Sequence, residues 1–431
     1  MPTDAKGDIA GIESKMTNDG DDLRLTKPRK KSILFLEQQS WLSGSQKVLE
    51  HVLDAITPEF QPLVAFPHDG PFSRKLRERN IETLLFPLGA YRSGQKSYTE
   101  MMEFSGRSLL CGLQLASLIR RRRVALIYVN GPRCLPAGVL AACVTGRPVL
   151  FHLHLTLCRK EEVMLVVHLA RYLAKIVSCS HAAARPLVEA NPALEKVIQV
   201  LYNPVHDRAG TVHRSAEVPA PAARFTLGMV GRITESKGQL RLLNAVSALR
   251  PYLQKQIRVV IVGAPSPGSV ADLAYARRLK ELASQLNLQQ RLVWAGYQTD
   301  PTAFYASMDV LVQPSSAQAG EGMPLAVLEA LREGIPVVAS RTGGIPEVIR
   351  DGANGLLFPP GDDRALAHAL QRFLDDDSLR ARLRAGTRAT LTDQFSIENF
   401  QFQTRELIRE VSGTETPRIA LASRGENAAW L

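Results

Sequence analysis

The chain has 431 residues, of which 45% are hydrophobic, and a net charge of +11 from 53 basic and 42 acidic residues. This length predicts two domains, and the composition is that of an α/β protein with substantial cores. The basic excess suits an anionic ligand or an acidic membrane surface. It would also suit a nucleic acid, but the sequence lacks the aromatic-interleaved basic motifs of nucleic-acid-binding modules, so we expect no such partner.

The cysteines and the N-terminal segment bear on the compartment. The five cysteines form no CxxC pair, which predicts free, buried thiols in a reducing environment. Residues 1–22 are polar, unlike a secretory signal, and no apolar run reaches the roughly 18 residues that a membrane-spanning helix needs. We therefore expect a cytoplasmic protein whose contact with a membrane would be peripheral.

Strand and helix candidates alternate from residue 29 to residue 207, beginning with an apolar strand at residues 32–37. This alternation predicts a doubly wound domain with a parallel sheet. The first strand passes to a helix through Ser43-Gly44-Ser45, a small and flexible loop in which either serine could cap the helix. We predict a disordered tail at residues 1–28 and a long polar loop at residues 88–104.

Four arginines, Arg120–Arg123, close a predicted helix, where cations suit the helix dipole. Their position is consistent with plain solvation at a helix end. It is equally consistent with contact to an acceptor molecule or a membrane surface.

Two histidines stand at the end of a strand predicted over residues 149–154. His152 and His154 alternate along the strand, so both lie on the same face. His154 is nearer the carboxyl end, where open α/β sheets bind ligands, and is the stronger candidate for a binding residue. A satisfied core histidine is the alternative for either.

The second half of the chain predicts another α/β domain. An Ala- and Pro-rich linker at residues 208–224 precedes this domain at residues 225–394, followed by a final helix at 395–412 and a loose tail at 413–431. Asp375-Asp376-Asp377 precedes an Arg-rich amphipathic segment and suits a helix cap better than a metal site. We therefore expect no metal.

Cations and glycines follow the strand that ends at Val230, in the segment Gly231-Arg232-Ile233-Thr234-Glu235-Ser236-Lys237-Gly238. A guanidinium can form two hydrogen bonds to phosphate oxygens, and an ammonium adds a point charge. Cations at a helix N-terminus oppose the helix dipole. An anionic ligand therefore accounts for Arg232 and Lys237 better than surface solvation does.

The segment Glu321–Ala330, with the sequence E-G-M-P-L-A-V-L-E-A, lies between two apolar strands. Pro324 suits the first position of a helix and Gly334 suits its end. The helix N-terminus then offers backbone amides to an anion. These amides are those of Gly322, Met323 and Leu325.

Two carboxylates accompany this anion site. Glu321 precedes the helix, and Glu329 lies about one and a half turns inside it. Carboxylates beside a phosphate site predict a ligand that has both hydroxyls and phosphates, which describes a nucleotide sugar. Two solvated glutamates are the alternative.

Residues 321–330 and 231–238 resemble the motifs E-G-x-P-L-x-x-x-E-A and G-R-x-x-x-x-K-G of the retaining glycosyltransferases called GT4. The turn at Asn203-Pro204-Val205 and the segment Thr342–Glu347 are also similar to family motifs, and Glu347 suits a helix start. Gly44 matches one position of the family's glycine-rich loop. The resemblance covers residues 32–412, more densely in the second domain.

The resemblance implies a GT-B fold, in which two Rossmann-like domains face each other across a cleft. It implies that residues 29–207 meet the acceptor and that residues 225–394 bind the donor. The implied catalytic residues are Glu321, Arg232, Lys237 and His154. The implied donor-binding residues are Gly44, Gly231, Tyr297, Gly322, Met323, Leu325 and Glu329.

The resemblance also implies a role for each group. Glu329 would accept hydrogen bonds from the ribose and Glu321 from the transferred sugar, while His154 orients that sugar. Arg232, Lys237 and the helix amides would hold the diphosphate. Tyr297 lies in the turn that meets the nucleotide base in relatives.

The implied reaction moves a sugar, with retention, from a nucleotide-diphosphate donor to a polysaccharide, lipid-linked or other acceptor hydroxyl. It uses no metal and no cofactor, and a peripheral contact with an anionic membrane is a further expectation. Two alternatives are a nucleotide-sugar-binding protein without activity and a GT-B sugar-nucleotide epimerase. The glutamate pair and the Arg/Lys pair favour the transferase.

Overall fold

A computed structural model describes residues 30–88, 98–205 and 223–413. The predicted tail at residues 1–28 lies outside the described residues, as do nearly all of the predicted linker and C-terminal tail. The remainder contains two parallel sheets. We call each sheet, with the helices that follow its strands, a domain.

The first domain has a seven-stranded parallel sheet in the described residues, with strand order β3-β2-β1-β4-β5-β6-β7. Its strands are β1 (Lys31–Glu37), β2 (Phe60–Phe66), β3 (Glu82–Leu85), β4 (Val124–Asn130), β5 (Val149–Leu153), β6 (Lys175–Ser178) and β7 (Ile198–Val200). Its helices are α1 (Gly44–Ile56), α2 (Pro71–Glu78), α3 (Tyr98–Arg122), α4 (Leu135–Thr145), α5 (Lys160–Leu169) and α6 (His181–Ala190). The central strand β1 is buried on both faces, which explains its nearly continuous apolar sequence.

The second domain has a six-stranded parallel sheet in the described residues, with strand order β10-β9-β8-β11-β12-β13. Its strands are β8 (Phe225–Val230), β9 (Ile257–Val262), β10 (Leu292–Gly296), β11 (Val310–Gln313), β12 (Val337–Ser340) and β13 (Gly355–Phe358). Its helices are α7 (Gln239–Ser247), α8 (Pro251–Gln254), α9 (Val270–Gln285), α10 (Thr302–Tyr305), α11 (Leu325–Arg332), α12 (Ile345–Val348), α13 (Asp363–Asp375) and α14 (Asp377–Arg388). The two doubly wound sheets confirm the predicted α/β fold class.

The strand order reverses beside β1 in the first sheet and beside β8 in the second. In open α/β sheets, ligands bind outside the carboxyl ends of the strands at such a switch point. The β1–β4 and β8–β11 edges are therefore where binding residues are expected.

The last helix, α15 (Ile397–Gly413), packs on the first domain. Its buried side chains, which include Phe400 and Ile408, share a core with β1 and α1. The Val205 amide donates to the Phe395 carbonyl at 2.9 Å, so the end of the first domain lies beside the start of this helix.

The prediction of a loop over residues 88–104 is wrong for its last part. Residues 89–97 lie outside the described part, but α3 already begins at Tyr98. Glu100, Met101, Met102 and Glu103 in the first turns are good helix formers. The burial of Cys111, Leu115 and Ile119 anchors the later turns of the same helix.

Candidate active site

The segment that precedes α11 is held by the first domain. The carbonyls of residues 320–323 all accept hydrogen bonds from it. The four donors, in order, are Thr156 N at 3.0 Å, Thr156 Oγ1 at 3.0 Å, Ser180 Oγ at 3.0 Å and Asn203 Nδ2 at 2.8 Å. We call residues 320–323 the donor segment, because they precede the helix that is predicted to hold the sugar donor. This segment therefore lies at the contact between the two domains.

Close approach explains two glycines in this region. A Cβ at Gly322 would lie 2.4 Å from both the Cys179 sulfur and the His154 carbonyl oxygen. Gly343 has φ +54, and a Cβ there would lie 1.7 Å from the Glu321 carbonyl oxygen. Larger side chains at either position would displace the segment.

Glu321 and Lys237 form a buried ion pair in which Lys237 Nζ lies 2.6 Å from Glu321 Oε1. Ser315 Oγ donates to the same oxygen at 2.6 Å and Gln313 Nε2 at 3.3 Å. Burial by itself would raise the pKa of the Glu321 carboxyl, but the Lys237 ammonium and these hydrogen bonds hold it below its ordinary value. The structure thus brings together one residue from each of the two main motifs.

The N-terminus of α11 differs from the prediction by one residue. Pro324 has ψ 121 and is the N-cap, so its expected place as the first helical residue is wrong and Leu325 takes that position. The Met323 amide directly precedes this cap, and its residue is buried. Its part in holding a diphosphate, like that of the Gly322 and Leu325 amides, stays a prediction.

Glu329 faces the first domain from inside α11. Lys47 Nζ lies 3.2 Å from its carboxylate, and the Tyr305 hydroxyl donates to it at 2.8 Å. Gly44 begins the helix that carries Lys47, and a Cβ at Gly44 would lie 3.7 Å from the Leu325 side chain. Sequence reasoning missed Lys47, whose place in an ordinary amphipathic helix gives no local signal.

Gly231, Arg232 and Tyr297 lie at the carboxyl ends of second-domain strands. Gly231 directly follows β8, and its amide donates to the Val262 carbonyl at 2.9 Å. The Arg232 side chain is exposed, and no ion pair holds it in the described part of the chain. Tyr297 is 55% exposed beside β10. The structure therefore places Gly231 and Arg232 beside the switch point and Tyr297 at the end of the edge strand β10. No hydrogen bond or ion pair among the described residues joins the Arg232 or Tyr297 side chain to Glu321.

His154 lies against the donor segment through its backbone, and its partly buried side chain contacts Asn130 and His152 of the first domain. Its Nε2 lies 2.6 Å from Asn130 Oδ1, and its ring centroid is 3.8 Å from that of His152. His152 Nδ1 lies 2.5 Å from the Tyr128 hydroxyl. Burial lowers the pKa of His154 to about 3, so both this ring and the fully buried His152 ring are neutral at physiological pH.

Two further buried residues were missed by sequence reasoning. Glu37 ends β1 and Asn130 ends β4, and the Asn130 side chain donates to the Glu37 carboxylate at 2.5 Å. A polar residue at the carboxyl end of a central parallel strand was the signal that could have identified both.

Glu347 joins the two domains. It lies in the first turn of α12, as its sequence position suggested, but its carboxylate also accepts hydrogen bonds from the start of α6 and from Tyr202, both in the first domain. The donors are His181 N at 3.0 Å, Ala182 N at 2.7 Å and the Tyr202 hydroxyl at 3.0 Å. This contact across the domains was not predicted.

Within residues 30–88, 98–205 and 223–413, no group of three or more His, Cys, Asp and Glu side chains could hold a metal ion. The carboxylates of Glu321 and Glu329 each form an ion pair with a lysine. Over the same residues, no helix is both long and apolar enough to cross a bilayer.

Two family models match the chain. One, described as Glycosyl transferases group 1, matches residues 214–390, and the other, described as Glycosyltransferase Family 4, matches residues 46–208. Each match takes in most of one domain.

Curated relatives carry related names. The D-inositol 3-phosphate glycosyltransferase of Corynebacterium glutamicum (strain R) is 32% identical over 186 residues, which are 42% of this chain and 43% of that protein. The lipopolysaccharide core biosynthesis glycosyltransferase LpsE of Rhizobium meliloti (strain 1021) is 34% identical over 183 residues, which are 42% of this chain and 49% of that protein. The chain thus spans about half the length of these relatives.

Solved structures match over more of the chain. The crystal structure of Anabaena HepE in complex with UDP and glucose matches with a TM-score of 0.73 at 24% identity, and the match covers 88% of this chain and 99% of HepE. This likeness shows the fold and, with the two parallel sheets, confirms the predicted GT-B architecture. Because the two family models take in both domains, we conclude that the chain belongs to the GT4 family, the group 1 glycosyltransferases.

Proposed function

We propose that this protein transfers a sugar from a nucleoside diphosphate to an acceptor hydroxyl. The observation that carries the proposal is the ion pair between Lys237 and Glu321 at the start of α11. At this pair a cation, a carboxylate and a helix N-terminus lie together, beside the contact between the domains. A sugar diphosphate can use all three groups. The cation and the helix amides can stabilise the negative charge that grows on the diphosphate during transfer, and the carboxylate can accept hydrogen bonds from the sugar hydroxyls.

The donor would lie along α11. Its diphosphate would meet Lys237, Arg232 and the helix amides, and its ribose would displace Lys47 from Glu329. HepE was solved with UDP and glucose, which makes UDP-hexoses the first donors to try. Apart from this co-substrate, the proposed reaction uses no cofactor.

The chemical step would break the bond between the anomeric carbon and the diphosphate oxygen and form a bond from that carbon to the acceptor oxygen. The acceptor proton leaves with the diphosphate, whose charge Arg232 and Lys237 offset. Because these cations stabilise the leaving group, we propose transfer without a metal. Retention of configuration follows from the family resemblance.

The acceptor would be a carbohydrate or a lipid-linked sugar, in line with the names of the relatives. The exposed face of α3 supports a peripheral contact with an anionic membrane. Met102, Leu109 and Leu113 lie on one side of this helix and are each more than half exposed, at 58%, 55% and 51%. Arg120–Arg123 follow at its C-terminal end. Apolar and basic groups on one helix are typical of binding to a membrane interface.

The test is a panel of UDP-, GDP- and ADP-sugars offered with mixed carbohydrate and lipid-linked acceptors. We expect one donor to raise the melting temperature and to release its nucleoside diphosphate only when an acceptor is present. Glu321→Gln should bind that donor but transfer little sugar. Binding without release would favour the inactive binding protein, and conversion of the donor without an acceptor would favour the epimerase.

A further inference from the structure

Glu37 is a fully buried carboxyl without a cationic partner in the described residues. Its Oε1 accepts hydrogen bonds from Gln38 N at 2.8 Å, Gln39 N at 3.2 Å and Gln46 Nε2 at 2.9 Å. Its Oε2 accepts one, from Asn130 Nδ2 at 2.5 Å. Burial outweighs these hydrogen bonds and raises the pKa of Glu37 to about 7. Burying an ionisable carboxyl without a cation costs stability, so its position at the carboxyl edge of the sheet suggests a role in function.

Asn130 connects this carboxylate to His154. Because the Asn130 Nδ2 donates to Glu37, its Oδ1 is the atom that lies 2.6 Å from His154 Nε2. An amide oxygen can only accept, so Nε2 must carry the proton of the neutral ring. Nδ1 is then a bare acceptor, and it is buried without a hydrogen-bond partner in the described residues.

The His154 residue adjoins the donor segment, since its carbonyl oxygen would lie 2.4 Å from a Cβ at Gly322. We propose that Glu37 is a positioning residue that acts through Asn130 to keep His154 in its Nε2–H tautomer, so that Nδ1 accepts a hydrogen bond from a hydroxyl of the bound sugar. The identity of that hydroxyl donor rests on the proposed function, but the tautomer does not. An asparagine by itself could present either side-chain end to the ring, and the carboxylate decides which.

The isosteric change Glu37→Gln should reverse this arrangement. Three donors surround the position of Oε1, so the glutamine oxygen stays there and its NH₂ group faces Asn130. Asn130 must then turn its oxygen to Gln at position 37 and its NH₂ group to His154. Nε2 becomes the acceptor, and the ring proton moves to Nδ1.

The double variant Glu37→Gln/Asn130→Asp should restore the original tautomer. The new carboxylate accepts from the glutamine on one side and from His154 Nε2–H on the other. The total charge of the pair is the same as in the parent protein. A merely structural role for Glu37 gives no reason for the second change to rescue the first.

Nitrogen NMR of the full chain labelled with ¹⁵N-histidine reads the tautomer directly. The His154 signals are assigned among those of the nine histidines by their loss in His154→Gln. At a pH well above the Glu37 pKa of about 7, where this carboxyl is ionised, we expect Nε2–H in the parent protein, Nδ1–H in Glu37→Gln and Nε2–H again in the double variant. Tyr128→Phe is the matched control, because it removes the hydroxyl beside His152 and should leave the His154 tautomer unchanged.

Turnover is the second measurement. With the donor that the parent protein uses, kcat should fall roughly 10- to 100-fold in Glu37→Gln and recover in the double variant, as expected for losing one positioned hydrogen bond. An Nε2–H ring in Glu37→Gln, or a double variant no better than the single one, would overturn the proposal. If Glu37→Gln does not fold, Asn130→Ala should give mixed tautomers, and a pure Nε2–H ring there would overturn it too.

The proposed transferase function and the proposed role of Glu37 can each be disproved without the other. If the parent protein transfers no sugar but the tautomers respond as expected, Glu37 still sets the His154 ring while the transferase proposal is lost. If transfer occurs and the tautomers do not respond, only the role of Glu37 is lost.

Discussion

The two cations of the Gly231–Gly238 motif differ in their surroundings. The Lys237 side chain is 19% exposed and pairs with a carboxylate that is 6% exposed. The Arg232 side chain is exposed and is in no ion pair among the described residues. Replacing either should reduce transfer, but only the loss of Lys237 leaves a buried charge unpaired.

We expect Arg232→Gln to lower kcat about 10²- to 10³-fold, because it removes a charge that offsets the departing diphosphate. The free energy of unfolding should change by no more than about 0.5 kcal/mol, as is usual for an exposed residue. Lys237→Met should lower kcat and also reduce the free energy of unfolding by about 3–5 kcal/mol, because it leaves the buried Glu321 carboxylate without its cation. Initial rates and urea titrations measure both effects.

Two controls accompany this comparison. Arg277→Gln changes an exposed arginine of α9 and should alter neither rate nor stability. Lys237→Met/Glu321→Gln should recover stability but not turnover, because it removes the stranded charge along with the cation. Normal turnover in Arg232→Gln would contradict the role assigned to this guanidinium.

At the residue scale, prediction succeeded where a short motif fixed the neighbourhood. Glu321 and Lys237 each belong to a local pattern, and their closeness to each other followed from the two strand ends. Glu37, Asn130 and Lys47 belong to no such pattern. Their partners are set by strand pairing and domain contact, which the local sequence does not encode.

Helix α6 receives its N-terminal cap from both domains. Ser180, its own N-cap, accepts from the Ala183 amide at 3.0 Å and donates to the Gly322 carbonyl. Glu347 accepts from the first two amides of the helix. A carboxylate at a helix N-terminus is favoured by the exposed amides and by the helix dipole. The helix therefore couples the two domains.

We expect Glu347→Ala to cost about 1–2 kcal/mol of stability, the usual range for a lost helix cap. Amide hydrogen exchange should also speed up both in α6 and in residues 320–323, because both lie at the same contact. Mass spectrometry of exchanged peptides measures this.

The matched control for Glu347 is Asp362→Ala, which removes a cap within the second domain, where Asp362 accepts from the Ala365 amide at 2.8 Å. It should cost similar stability but speed exchange only in α13. Unchanged protection of residues 320–323 in Glu347→Ala would show that the cap does not couple the domains.

At the element scale, strands were easier to predict than helix starts. The strands predicted at residues 32–37 and 149–154 are observed as Lys31–Glu37 and Val149–Leu153, because apolar runs are a clear signal. The start of α11 was misplaced by one residue, and the start of α3 was taken for loop. Polar first turns resemble loops when no cap signal marks them.

At the scale of the whole molecule, the face of α3 that carries Met102, Leu109 and Leu113 is the candidate membrane contact. Leu109→Glu/Leu113→Glu should weaken binding to vesicles rich in phosphatidylglycerol by about tenfold or more, since each leucine contributes about 1.5–3 kcal/mol when buried. Vesicle sedimentation measures the change. The parent protein should bind pure phosphatidylcholine vesicles weakly, because they lack the charge that attracts the arginines.

Leu273→Glu is the matched control, since Leu273 is 51% exposed on α9 of the second domain. It should leave vesicle binding unchanged. Equal binding by all three proteins would remove α3 as the contact.

The two-domain architecture followed from the alternation of strands and helices and from the motif spacing. The contacts between the domains did not follow, because they join segments far apart in the chain. The hydrogen bonds from Thr156, Ser180 and Asn203 to residues 320–323 are of this kind.

The packing of α15 on the first domain brings the end of the described chain back to the domain in which it starts. Val205 and Phe395 are hydrogen-bonded neighbours, so the chain leaves the first domain and returns to it at nearly the same place. In topological terms, the whole second domain is an insertion into a shorter protein. Fusing residue 205 to residue 395 through a few glycines would close that shorter protein, with its last helix covering β1 and α1 as before.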